Sequence, residues 1–193
     1  MLAGGAALLV GAAPPPQTLR WSGRARVRTD NRVLDLTLET LVVPFRSARS
    51  RSWITAEGPD TARTLVIEPA SGWMERGGGR VEPPPALIAH ERQQYAIYGY
   101  LLRALRTGAG GAAARRFRHP GFPDARFLFD GDWPRAADYR VSAPEAGDPP
   151  VAQRFTFADP MSDTPLRWPR RLSIEQAGRP YFDLTIDRFE ASA

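Results

Sequence analysis

The 193-residue chain contains no cysteine and no lysine. The first absence excludes disulfides, thiolate nucleophiles, cysteine-ligated zinc and a lipidated N-terminal cysteine. The second makes all 26 basic residues arginine and accounts for the calculated pI near 10.3. With neither thiol nor ammonium groups to titrate in the alkaline range, a small excess of base drives the isoelectric point towards arginine's very high pKa. The net charge of +5 therefore reads as an arginine-, alanine- and proline-rich coding bias, not as a nucleic-acid surface.

Histidine is scarce, at two residues, His90 and His119. His90-Glu91 opens like a zincin helix, but Gln94 stands where the second metal-binding histidine is needed. No G-x-S-x-G elbow occurs, and the Gly77–Gly79 run has no P-loop lysine after it. The carboxylate pairs Asp130/Asp132 and Asp159/Asp163 fall in Gly- or Pro-containing turns, where Asp satisfies local backbone groups. No catalytic residue, metal or cofactor is expected, and His90, Glu91 and Arg92 are expected to decorate wet first turns of a helix.

Long hydrophobic runs are also missing, in keeping with a mean hydropathy of -0.36. An apolar stretch from Leu2 to Val10, followed by Gly11, Ala12, Ala13 and three prolines, is too short to span a bilayer and looks like the end of a secretory signal. No basic residue precedes it. Residues 1–17 are read as a signal-like or disordered segment, and residues 18–193 as one domain.

What the chain does have is alternation. TLRWSGRARVRT (18–29) sets Leu19, Trp21, Gly23, Ala25 and Val27 against polar residues, and RVLDLTLETLVV does the same with Leu34, Leu36 and Leu38. This is the period of two of a strand with one wet face, and Asp30-Asn31 would turn a long hairpin. FRSARSRSWITAEG continues as a polar extended segment, TARTLVIEPA as a strand, and GWMERGGGRVEP as a tight hairpin. Further on, strands are read around Phe127 and Phe129, Tyr139 and Val141, Phe155 and Phe157, Leu172 and Ile174, and Phe182, Leu184 and Ile186. Arg115, Arg116, Phe117, Arg118 and His119 are taken as an exposed loop edge. Such a patch could also meet single-stranded nucleic acid, lipid headgroups or an acidic protein.

One segment breaks the pattern. Pro83-Pro84-Pro85 presets a helix over about 86–105, where Leu87, Tyr95, Tyr98, Leu101, Leu102 and Leu105 form a stripe and Ile97 and Tyr100 fall off it. A helix apolar round most of its circumference must be covered widely. The expected fold is mainly β (α+β): a curved, incomplete antiparallel β-barrel of about nine to ten strands with one central apolar helix as plug or lid. Trp21, Leu34, Leu36, Leu38, Phe155, Phe157, Leu172, Ile174, Leu184 and Ile186 are expected to face Tyr95, Tyr98, Leu101 and Leu102 across the interior. Two arrangements remain open, a single packed core or a cavity for an apolar ligand such as an acyl chain.

The order of elements, with the hairpin ending in GWMERGGGRVEPPP and the closing LRWPRRLSIEQAGRPYFDLTIDRFEAS, resembles the LolA/LolB-like lipoprotein-carrier superfamily over about residues 18–190, and in particular its divergent outer-membrane lipoprotein-sorting relatives. The resemblance implies a non-enzymatic carrier in the periplasm of a Gram-negative bacterium. Its partners would be lipid or lipoprotein acyl chains and membrane-associated donor or acceptor proteins. It implies no nucleic-acid partner, and a monomer is expected. The missing N-terminal cysteine favours a soluble form over the anchored receptor branch. Phospholipid, another apolar molecule, a scaffolding or interaction domain with a filled barrel, and a hydrolase that would need His90 or His119 beside a serine and a carboxylate stay open as alternatives. Replacing Leu101 or Leu102 with a charged residue is expected to abolish lipid binding or folding, and a variant unaffected in both would mean that the helix faces another way.

Overall fold

The alternation along the first two strands becomes a hairpin in the computed structural model, which describes residues 17–29, 32–164 and 166–192. In β1 (Thr18–Thr29) the side chains of Leu19, Trp21 and Ala25 are buried while Arg20, Arg24 and Arg26 are exposed. β2 (Arg32–Val43) pairs with it from Leu19 opposite Val42 to Thr29 opposite Arg32. The expected Asp30-Asn31 turn and the signal-like residues 1–16 lie outside the described residues.

From there the chain builds one antiparallel sheet. β3 (Ser47–Ile54), β4 (Arg63–Ile67), β5 (Gly72–Arg76) and β6 (Gly79–Val81) extend it in one direction, each beside its predecessor. Gly77 and Gly78 both take positive φ, 56° and 79°, which allows the tight turn expected between β5 and β6. After the helix come β7 (Ala114–His119), β8 (Phe122–Asp130), β9 (Trp133–Val141), β10 (Val151–Pro160), β11 (Pro169–Gln176) and β12 (Arg179–Ser192). The sheet has twelve strands in the order β6-β5-β4-β3-β2-β1-β12-β11-β10-β9-β8-β7. The two ends of the chain thus pair at its centre, and two arms reach outward from them.

The count exceeds the expected nine to ten strands, and β7 is the clearest omission. Its residues 115–119 are not a loop edge of free cations. Phe117 points into the core, while Arg116 and Arg118 pair with Asp124 at 3.7 and 3.0 Å. Arg115 donates to the Gly108 carbonyl at 2.6 Å, at the end of the helix.

A sheet this wide must curl, and Gly23 marks one place where it does. A bulge falls between Ser22 and Gly23, and a Cβ on Gly23 would stand 2.2 Å from the Thr185 carbonyl oxygen. Only a residue without a side chain lets β1 and β12 approach this closely at the bend.

The helix α1 (Pro85–Thr107) fills the resulting trough. Four consecutive residues, Ile97, Tyr98, Gly99 and Tyr100, are all buried, and at about 100° per residue they cover nearly the whole circumference. α1 is therefore a plug wrapped by sheet, packing against β8 and β9 of one arm and β2, β3 and β4 of the other.

The polar start of the helix corrects the expectation of wet first turns. His90 is buried and its Nδ1–H donates to the Ser142 carbonyl at 2.7 Å. Gln93 receives the Ser142 backbone N–H at 2.7 Å, and Arg92 donates to the Glu68 carbonyl at 2.9 Å. Ser142 follows β9 and Glu68 follows β4, so these side chains tie the helix to both arms. Each bond satisfies a strand-end backbone group that ladder pairing leaves free.

Phe45, between β2 and β3, supplies a further tie. Its φ of 60° is unusual for an aromatic residue, and its ring stacks on His119 at 3.9 Å and meets Tyr100 edge-on at 4.8 Å. The ring lies directly over Gly99, where a Cβ would come within 2.4 Å of Phe45 Cε2. Gly99→Ala is expected to destabilise the fold by about 1–3 kcal/mol despite alanine's higher helix propensity. Chemical denaturation checks it; equal or greater stability would mean that the ring moves aside freely.

Candidate ligand cavity

Along α1, Leu87, Glu91, Gln94, Tyr95 and Tyr98 recur at three- and four-residue intervals and so share one face. That face looks across at the inward residues of β2 and β3. On β2 these are Leu36, Leu38 and Thr40; on β3 they are Ser50 and Ser52, which stand beside Thr40 and Leu38 in the sheet register. Small hydroxyl side chains occupy positions where larger residues would reach the helix. The result is a cavity of about 350 Å³, walled on its other side by Ile174 of β11 and by Tyr181, Phe182 and Leu184 of β12. Its volume lies at the small end of the ~300–1,000 Å³ usual for small-molecule sites.

The two ends of the cavity differ. At the enclosed end Trp21 and Tyr98 meet with ring centroids 4.6 Å apart, and Leu38, Ile174 and Leu184 are almost wholly buried. Behind Tyr98, Trp168 is fully buried and stacks on Phe189 at 4.6 Å, closing the interior on that side. At the other end the exposed Arg63 and the half-buried Met74, Val27 and Tyr181 form a rim, so the cavity reaches solvent there.

Glu91 is the one acidic group lining this space. It is half-buried, and that burial pushes its carboxyl above the usual carboxylate range, with His90 and Arg63 pulling it partly back. Burial likewise pushes up the phenols of Tyr95, Tyr98 and Tyr181, helped by the nearby Glu91. Two other hollows, of about 440 and 530 Å³, lie on the outer face of the sheet. They are crossed by guanidinium–carboxylate pairs such as Arg51–Glu39 and Arg126–Asp138, which suits a water-facing surface, not an apolar guest.

No protein-family model matches the chain, and no curated protein matches it in sequence. Among solved structures, a LolA superfamily protein from Nitrosomonas europaea superposes with a TM-score of 0.51 at 8% identity, covering 91% of this chain and 86% of that one. The chain shares the fold of that protein. An outer membrane lipoprotein-sorting protein domain from Vibrio parahaemolyticus gives a TM-score of 0.46 at 7% identity, with the same shares covered. Among the described residues, no helix of this LolA-like fold is long and apolar enough to cross a membrane.

Within the LolA-like frame the residues expected inside divide into two groups. Trp21, Leu36, Leu38, Tyr95, Tyr98, Ile174 and Leu184 line the cavity. Leu101, Leu102, Phe155, Phe157, Leu172 and Ile186 are buried but lie off it, packed solid under the other arm, where Phe157 stacks on Phe127 at 5.8 Å. Leu34 is half-buried beside the core and does not reach the cavity. Sequence reasoning missed Ser50, Ser52, Thr40, Glu91, Gln94 and Arg63. The signal for the serines was present: Ser and Arg alternate through residues 49–52, and the strand period sends the arginines outward and the serines in.

The raised Glu91 carboxyl has a consequence for stability. Above the ordinary glutamate pKa the folded state holds a proton that the unfolded state has lost, so this group's contribution falls as pH rises from that value through the raised one. Glu91→Gln is expected to remove the slope. In thermal melts the variant should gain on the parent as pH rises from about 4 to about 8, and a difference independent of pH would show that Glu91 titrates normally.

Proposed function

We propose that this LolA-like protein is a non-enzymatic binding or carrier protein that holds the acyl chain of a lipid or lipoprotein in the cavity between α1 and the curved sheet, and that it works in the periplasm. The observation that carries the reading is the cavity itself, with Leu36, Leu38, Ile174 and Leu184 along its walls and an opening at Arg63. Removing a chain from water at roughly 0.8 kcal/mol per buried methylene supplies affinity without any covalent step. The volume suits one chain, with the remainder of the interior already filled by Phe155, Phe157, Leu172 and Ile186. Release would follow from handing the chain to a more hydrophobic acceptor at the open rim. Residues 1–17 would serve as the export segment, and residues 18–193 as the single carrier domain. The likeness in fold to the LolA superfamily protein from Nitrosomonas europaea supports this reading by analogy.

Organic extraction of protein purified from its native host should yield bound lipid, and an apolar fluorescent probe should compete for the same site. Ser52→Phe fills the cavity from β3 and is expected to weaken probe binding about tenfold or more while the far-UV circular dichroism stays unchanged. Arg24→Gln, on the exposed face of β1, should leave binding as it is. Absence of both lipid and probe binding in the parent, or full binding by Ser52→Phe, would defeat the reading.

A further inference from the structure

We propose that the ligand is an amphiphile whose polar head carries a protonated amine, and that Glu91 receives it. This rests on the carrier reading above and adds the head to the tail. Carboxylates elsewhere on this arginine-rich chain are commonly paired, as in Arg26–Asp35 at 2.9 Å, Arg49–Glu75 at 2.8 Å and Arg171–Asp159 at 2.6 Å. Glu91 makes no ion pair and receives no side-chain hydrogen bond among the described residues, although Arg63 lines the same cavity. A carboxylate held in such surroundings is costly until a cation or a strong donor meets it.

The walls next to Glu91 fit a cation better than an anion. Tyr95 and Tyr98 lie on the same helix face, Tyr181 comes from β12, and Trp21 closes the far side. Aromatic rings around a carboxylate offer an ammonium group both cation–π attraction and a counter-charge. Beyond them the Leu36, Leu38, Ile174 and Leu184 walls take the tail. Gln94 and the hydroxyls of Ser50 and Ser52 can bond the remaining N–H groups of a primary amine. Arg63 stands on the exposed rim, where water screens it. It is the group that would favour the opposite choice, an anionic head.

The test uses three ligands with one tail: dodecylamine, dodecanol and dodecanoic acid, each titrated calorimetrically below its micelle concentration at neutral pH into the parent protein and Glu91→Gln. The amine is expected to bind the parent about tenfold or more tighter than the alcohol, and Glu91→Gln to bring the two within about threefold. An amine no tighter than the alcohol in the parent overturns the proposal, with no reliance on any variant. So does a preference that survives Glu91→Gln, or a fatty acid that binds tightest and loses its advantage in Arg63→Gln. In those cases alcohol binding leaves the carrier reading standing. If none of the three binds, the carrier reading falls and the amine site with it.

Discussion

The structure depends on the burial of one helix from every side. An isolated helix with Ile97, Tyr98 and Tyr100 on three different sides has no stable arrangement in water, and one flat sheet could cover only half of it. The sheet must therefore wrap, which demands many strands, a pronounced bend and no rigid closure. Twelve strands, the bulge at Gly23 and the pairing of the chain's two ends at the sheet centre meet these demands together. The arms are held to α1 by its own polar residues, with His90 and Gln93 on Ser142 and Arg92 on Glu68.

A wrapped helix need not be packed equally well along its length, and the difference between its two halves is what turns a core into a candidate site. Leu101 is fully buried in the same core as Phe127, Phe155, Phe157 and Leu172, none of which lines the cavity. Around Glu91 and Tyr95, the strands facing the helix carry the small Ser50, Ser52 and Thr40, which leave space unfilled. The cavity is thus written in side-chain size, and it carries both an apolar end and a polar mouth. A ligand held there would meet different walls at its head and at its tail.

Much of the fold was legible in sequence because its main signal is local. The period of two put Leu19, Trp21 and Ala25 inward and their arginine neighbours outward, and the triple proline and Gly108 bounded the helix. β7 escaped because its single inward aromatic, Phe117, is flanked by arginines whose pairing with Asp124 depends on the register with β8. The site was legible in part for the same reason. Inward position follows from alternation, but whether an inward residue borders space or neighbouring atoms follows from tertiary packing. Leu38 and Phe157 look alike in sequence, and one lines the cavity while the other does not. Glu91 was misread because a carboxylate near the start of a helix ordinarily faces water, whereas here Ser50 and Ser52 of β3 and Arg63 and Leu65 of β4 line the same space.

To carry an acyl chain, the N-terminal half of α1 and the strands opposite it must enclose room for one apolar chain. A crystal structure with an alkyl ligand brominated near its terminal carbon tests this directly through the anomalous signal of bromine. A bromine peak is expected between Trp21, Leu38, Tyr98 and Leu184. A peak confined to the outer face of the sheet, or a well-ordered interior with side chains closed across that space and no bromine in it, would contradict it.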